Sequence, residues 1–424
     1  MVSQIITGID IGTSKIATII AKFSENETEP RVMGFVSVNS KGVRKGQIVD
    51  INQVTDVIEE CVEKAERMAA TKVERAFVSV GGPHIASLNS HGVVAVSQPE
   101  VEINSGDIDR AIEAAKAISI SSTWEVIEVI PREYVVDGQN GIKNALGMTG
   151  VRLEVNTHII TANLTNLKNI ERSLSDLGIE KEAYVFSGLA SSLATLSETE
   201  KELGVALVDI GGGKTDICIY VDGALSYSSS IPMGARYITN DIAVGLRISL
   251  DSAEQIKLFL MGKKNKNTTG GQGKKDDVDI KELNLTEGLT SVSYKTVADG
   301  IIRPRLEEIF EKVFEEIQKS GFLTMIPSGL VVTGGGALTV GTIETTKRIT
   351  GLSARLAIPQ GVVGLVDEVL FPQFAVVVGL VLYGKDFLMK KEKSSLKNFQ
   401  SIFRDFSFKG SFRKVANLFK SFLP

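Results

Sequence analysis

The stretch DIGGGKTDI, residues 209–217, decides how the chain folds. Its Gly-Lys-Thr ending suggests a P-loop, which requires G-x-x-x-x-G-K-[ST] between a strand and a helix. The spacing fails, because the glycine required five positions before Gly213 is replaced by Val208. The downstream residues fail as well. Asp216-Ile217-Cys218-Ile219-Tyr220-Val221 is apolar and β-branched, stops at Asp222-Gly223, and predicts a second strand. The element is strand, glycine turn, strand. A hairpin tip of this kind can still hold phosphate, because backbone N–H groups without side chains in the way approach it closely.

The same unit occurs near the N-terminus. Residues 5–19 read IITGIDIGTSKIATI and residues 204–219 read GVALVDIGGGKTDICI. Asp10 and Asp209, Gly12 and Gly211, and Lys15 and Lys214 are each 199 positions apart. Internal repetition at this spacing predicts a duplicated fold. A third glycine turn, Gly334-Gly335-Gly336, follows the apolar run Leu330–Thr333 and precedes a predicted helix over 343–348.

These units suit a nucleotide held between two halves. The tips Gly12-Thr13-Ser14-Lys15 and Gly211-Gly212-Gly213-Lys214 would present N–H groups to a triphosphate from opposite sides. Asp10 and Asp209, at strand ends, would hold hydrated Mg²⁺, which prefers carboxylates and retained waters. Lys15 would add positive charge beside the β- and γ-phosphates. Gly334, Gly335 and Gly336, ahead of a helix, would receive the α-phosphate or ribose region.

The arrangement resembles the actin/Hsp70/sugar-kinase superfamily and, within it, the FtsA family of bacterial cell-division proteins. The resemblance rests on AFVSVGGPHIASLNSHGVV (76–94), VIEVIPREYVVDGQNGIKNALGMTGVRLEV (126–155), THIITAN (157–163), the run 185–217, IPMGARYITNDIA (231–243) and GLVVTGGGA (329–337). It implies an α/β fold in which two duplicated actin-like, ribonuclease-H-like subdomains enclose an ATP cleft, each carrying a smaller inserted subdomain. The implied boundaries are 1–84 with 165–196 for the first half and 85–164 for its insertion. They are 197–236 with 303–385 for the second half and 237–302 for its insertion, leaving 386–424 as linker and membrane-targeting amphipathic helix. The implied function is an ATP-dependent cytoskeletal protein on the cytoplasmic face of the membrane at the division site. Its implied partners are further copies of itself, the C-terminal peptide of the tubulin-like protein FtsZ, later divisome proteins and anionic lipid.

By the resemblance, the FtsZ peptide docks within 237–302, and Lys295, Asp299 and Arg303, at i, i+4 and i+8, are the candidate contacts. Arg305 and Glu308 are positional candidates near the adenine. Relatives place a Gln or acidic residue where Ser187 or Gly188 stands here, so hydrolysis is expected to be slow at most. FtsA-like chains usually have a small hydroxyl residue where this one has Lys214. That lysine either adds a phosphate contact or points into solvent.

Elsewhere the pattern predicts ordinary core. Val54, Val57, Ile58, Cys61, Val62 and Ala65 recur at helical spacing. Helices are predicted over 107–118 and 167–178, and a disordered loop over GKKNKNTTGGQGKKDD (262–277). Pro131 predicts an edge position. Cys61 and Cys218 read as buried free thiols, and His84, His91 and His158 lack metal spacing. No signal peptide and no apolar run of about 20 residues is apparent.

The formal charge of −4 over 424 residues gives no support to a nucleic-acid role. It is unevenly divided, because residues 385–424 carry ten Lys/Arg and three Asp/Glu, a net of +7, together with eight of the 18 phenylalanines. In SFRKVANLFKSFLP (411–424), Phe412, Val415, Leu418, Phe419, Phe422 and Leu423 form one helical stripe opposite Arg413, Lys414 and Lys420. A stripe with bases and no acids, following an expected linker at 390–397, predicts a helix lying in an anionic bilayer surface. Leu396, Phe399, Phe403 and Phe406 make a weaker run of the same kind. Two alternatives stay open: a pilus or secretion adaptor with an FtsA-like body, and a small-molecule kinase of the superfamily.

Overall fold

A computed structural model describes residues 3–24, 27–97, 102–261 and 276–405, with the backbone alone for 392–405. The 412–424 stripe and most of the 262–277 segment lie outside the described residues.

Both glycine hairpins form, and each seeds a sheet of the same plan. In the first, strands run in the order Arg31–Asn39, Lys15–Phe23, Gln4–Ile11, Arg75–Val80, Glu180–Phe186. In the second, the order is Ala224–Ile231, Thr215–Val221, Val205–Ile210, Leu330–Thr333, Ala354–Leu356. The first three strands of each are antiparallel and the next two parallel. The first sheet has one further short strand, Val363–Gly364, at its edge. The duplicated α/β architecture expected from the repeat is therefore present. The matching plan also pairs the third glycine turn with Gly81-Gly82, since each follows the parallel strand next to its hairpin.

The helix Ile51–Ala69 starts where Asp50 accepts a hydrogen bond from the Gln53 N–H, and it buries the stripe read from the sequence. Other helix boundaries shift, for reasons of capping. The helix expected at 107–118 runs Ser105–Lys116, because Asn104 and Asp107 close a capping box. The helix expected at 167–178 runs Leu164–Ser175, started by the Asn163 side chain.

An antiparallel four-stranded sheet, in the order Ile85–Ala95, Arg152–Asn163, Trp124–Val136, Gln139–Ile142, carries the helix Ser105–Lys116 on one face. Pro131 pairs with Thr157 beside a register shift, and the neighbouring strand Gln139–Ile142 reaches only Tyr134 and Val136. The missing N–H of Pro131 therefore leaves no ladder bond broken on that side.

The helix Ser187–Thr195 is built of small residues because a second helix crosses it closely. A Cβ at Gly379 would overlap the Ala190 carbonyl. Contrary to the expectation that no apolar run reaches about 20 residues, that second helix, Ala375–Asp405, is long and apolar enough over Pro372–Lys391 to cross a membrane by composition. Half of that window is buried inside the structure, with Val377, Val378, Leu380 and Val381 fully enclosed and Phe77, Tyr383 and Phe387 in edge and stacked contact. Its apolarity serves the first half's core.

Three expectations need correction. The segment 390–397, expected as a linker, is helical, since nothing from Lys385 to Asp405 is Gly or Pro. The end of the expected loop is ordered: Asp277 pairs with Ser293, and the Asp276 carboxylate accepts from the Lys295 N–H. Lys295, Asp299 and Arg303 were placed on an α-helical face, but Lys295–Ile302 is π-helical, so the i, i+4, i+8 pattern does not define that face. Asp299 and Arg303 pair with each other at the surface and Lys295 is exposed.

Candidate functional site

The two hairpin tips meet. Gly12 N–H donates to the Lys15 carbonyl at 3.0 Å, and Gly211 N–H to the Lys214 carbonyl at 2.9 Å, so both turns close in the same way. Across the gap, a Cβ at Gly212 would overlap the Ser14 hydroxyl, and one at Gly213 would lie 2.7 Å from Thr13 Oγ1. Only glycine permits tips this close. Between them opens a cleft of about 580 Å³. It is lined by Asp10, Gly12, Thr13, Ser14, Lys15, Asp209, Gly211, Gly212, Gly213, Lys214, Gly334, Gly335 and Gly336. All thirteen sequence-selected candidates for nucleotide and metal thus face one space.

The two aspartates differ in their surroundings. Asp10 accepts from Ser79 Oγ at 2.7 Å, which itself accepts from the Ile11 N–H. Burial raises the Asp10 pKa, and Ser79 and Lys15 oppose that rise. Asp209 is 5% exposed, and its Oδ2 has no hydrogen-bond partner among the described residues. Burial, then the charge of Asp216, pushes its pKa up to about 7. A buried carboxylate with an orphaned oxygen calls for a cation or donor. Among the described residues no cluster of three metal-ligating side chains exists. The pair therefore fits Mg²⁺ held through waters and a ligand's phosphates rather than an all-protein cage. Lys15 sits 4.7 Å over the Phe374 ring, its pKa lowered by burial and partly restored by Asp10 and Asp209.

Lys214 lines the cleft, and its amine is also engaged inside the protein. Its Nζ donates to Ser187 Oγ at 2.6 Å and pairs with Asp216. Ser187 in turn donates to Asp216 Oδ2 at 2.6 Å, and Ser230 donates to Oδ1 at 2.6 Å. Gly81 makes room, since a Cβ there would overlap both Ser187 Oγ and the Lys214 amine. The lysine is thus an internal cation beneath the tip, bridging the second hairpin to the start of the helix Ser187–Thr195.

Sequence reasoning missed the far wall of the cleft. Arg236, Thr239, Asp251, Glu254, Lys257, Leu258 and Met261 line it, from the helices Arg236–Leu246 and Leu250–Met261. Lys257 is 6% exposed and donates to Thr239 Oγ1 at 2.9 Å and Glu254 Oε2 at 2.7 Å. The signal was a lysine beside Ala253, Ile256 and Leu260 on the buried side of its helix. Arg305 and Glu308, expected near the adenine, do not line the cleft. Arg305 is held by Asp241 at 2.6 Å and by Glu308. His84 and His158 are buried, His91 is exposed, and Cys61 and Cys218 are buried free thiols.

A family model described as the SHS2 domain inserted in FTSA matches residues 82–161, and one described as cell division protein FtsA matches 206–379. The chain is 37% identical to cell division protein FtsA of Pseudomonas aeruginosa, covering 90% of this chain and 89% of that one. It is 38% identical to FtsA of Borreliella burgdorferi, covering 90% and 91%. It is 32% identical to FtsA of Escherichia coli K12, again covering 90% and 91%. Among solved structures, a PilM–PilN type IV pilus biogenesis complex superposes with TM-score 0.62 at 16% identity, covering 89% of this chain and 98% of that one. MreB5 of Spiroplasma citri bound to ADP superposes with TM-score 0.50 at 14% identity, covering 93% and 99%. These structural likenesses speak to the fold.

Proposed function

The chain belongs to the FtsA family of cell-division proteins, and from that premise we propose that it is an ATP-binding cytoskeletal protein that polymerises on the membrane, tethers FtsZ filaments there and recruits later divisome proteins. The observation that carries the ATP reading is the single cleft on which both hairpin tips, the third glycine turn, Asp10 and Asp209 converge. In this reading the N–H groups of residues 12–15 and 211–213 hold the phosphates, with Lys15 adding charge. Asp10 and Asp209 would hold Mg²⁺ through water, and that ion would supply positive charge beside the phosphates. Gly334, Gly335 and Gly336 border the α-phosphate or ribose, and Thr239, Glu254 and Lys257 offer polar groups further along the cleft. The subdomain boundaries given above are part of the proposal.

ATP acts here chiefly as an assembly ligand. Ser187, at the start of its helix, has its hydroxyl engaged by Lys214 and Asp216, and is not free to orient water. The same engagement disfavours the kinase alternative. The pilus-adaptor alternative has the PilM likeness behind it, but at 16% identity against 32% to 38% for the FtsA relatives.

Residues 412–424, with their basic apolar stripe, are the proposed lipid anchor on the cytoplasmic face. One short helix binds a bilayer reversibly, and a filament holds by multivalency. The FtsZ peptide is proposed to dock within 237–302 and at Arg303 beside it, where an acidic side chain of the peptide would compete with Asp299 for the guanidinium.

The test is co-sedimentation with anionic liposomes, with and without Mg-ATP, for the full chain and a chain ending at Asp405. Pelleting that needs both the tail and nucleotide is expected. Equal pelleting of the two chains would remove the anchor, and no saturable ATP binding would remove the nucleotide reading. A pull-down on FtsZ peptide, expected to weaken with Arg303→Glu, tests the docking face.

A further inference from the structure

The strand Ala224–Ile231 is the outer strand of the second sheet, so its free edge ought to be exposed. It is covered by the inserted four-stranded sheet, which belongs in sequence to the first half. Hydrogen bonds join the two. Ser87 Oγ donates to the Ser228 carbonyl at 2.6 Å, and Asn89 Nδ2 to the Ser226 carbonyl at 3.1 Å. Arg132 Nε donates to Ser226 Oγ at 3.0 Å. The His158 ring lies between Ser228 Oγ and Asn89 Oδ1, 2.8 Å from each. Lys143 reaches the Asp222 carbonyl at the strand's entry.

Side chains two apart on a strand share a face. Ser226, Ser228 and Ser230 therefore point the same way, while Tyr227 and Ser229 point the other way, to Glu316. The third serine bonds elsewhere. Ser230 Oγ donates to Asp216 Oδ1, and Asp216 is the carboxylate held by Lys214 and Ser187 at the floor of the cleft. One face of one strand thus carries the seam at two positions and the cleft cluster at a third.

We infer that the inserted sheet reads the state of the cleft through the serine face of Ala224–Ile231, so that rearrangement at Lys214, Ser187 and Asp216 loosens or tightens the seam at Ser226 and Ser228. From Tyr227 to Ile231 the strand is paired without interruption to the strand that carries Asp216, so a shift at Ser230 is passed directly to Ser228, whereas a bulge leaves Ser226 outside the ladder. Hydrogen bonds of this kind can break and remake in water. Coupling is reciprocal, so whatever binds the inserted sheet biases the cleft.

Amide hydrogen exchange on the full chain tests this in two arms. Without nucleotide, Lys214→Ser should speed exchange in residues 85–95 and 152–163 at least about threefold more than it speeds exchange in residues 4–11 and 15–23. If Lys214→Ser does not fold, Ser230→Ala, which deletes one hydroxyl, replaces it with the same expectation. Changes confined to 187–191 and 210–217, with the inserted sheet unmoved, would overturn the inference. The second arm rests on the ATP reading. Mg-ATP should slow exchange in the same two segments, and Ser228→Ala should abolish that response while keeping ATP affinity within about twofold. An undiminished response in Ser228→Ala would overturn the inference. Absence of ATP binding would instead remove the nucleotide reading, leaving the first arm to decide the coupling.

Discussion

Gly212 stands directly against Ser14 across the cleft, with no room for a side-chain carbon between them. Two turns separated by 199 positions in sequence are thereby the two jaws of one site. Gly212→Ala should push them apart. The expected outcome is a folded protein, destabilised by about 1–3 kcal/mol through overpacking. It should bind ATP roughly tenfold more weakly by titration, or about 1.4 kcal/mol. Gly178→Ala is not an equivalent control despite the open space there, because its φ of +71° adds strain of its own.

Asp209 should make the nucleotide-free protein less stable as pH rises. Its pKa is raised from an ordinary 3.8 to about 7. The folded state thus holds the proton more tightly than the unfolded one. The resulting stability is complete below about pH 4 and lost as pH climbs through about 7. Asp209→Asn should be the more stable protein at pH 7.5 in thermal melts, with the gap closing toward pH 5. It should also lose the stabilisation that Mg-ATP gives the unaltered chain.

Lys214 and Asp216 form a buried pair, 14% and 1% exposed. Removing one partner strands the other's charge, so Lys214→Ala should cost about 3 kcal/mol in denaturant unfolding. Lys214→Ala combined with Asp216→Asn should recover most of that loss. A double variant as unstable as the sum of its parts would show that the pair does not act as a unit.

His158 acts in the opposite pH sense to Asp209. Burial, then the positive charge of Arg132, lowers its pKa from 6.5 to about 3. The neutral ring therefore contributes stability that is present above about pH 6.5 and lost as pH falls toward 3. His158→Gln keeps a donor toward Ser228 and removes the titration. Its melting temperature should fall less than that of the unaltered protein between pH 6.5 and 4.5. His84 adds a similar slope, with a pKa lowered to about 4 by burial and then by Lys214, so the comparison must use the difference between the two proteins.

The sequence by itself determined the two hairpins, their spacing, the third glycine turn and the amphipathic stripes. Each is written in contiguous residues whose period and turn chemistry are local. The strand-turn-strand pattern at DIGGGKTDI even excluded a competing phosphate loop. Helix ends were less legible, because Asn104 and Asn163 act through side-chain geometry that periodicity does not register.

Only the tertiary structure decided the company each charged group keeps. Ser187 and Asp216 are 29 positions apart, and Ser87 and Ser228 are 141 apart, with no shared pattern to announce them. Lys214 was legible as a lysine facing phosphate or solvent, but its pairing with Asp216 was not, and Gly81 leaves the room for it. The far wall of the cleft, with Glu254 and Lys257, comes from helices distant in sequence from both hairpin tips. Partner choice of this kind depends on which surfaces packing brings together, and no local stretch of chain encodes that.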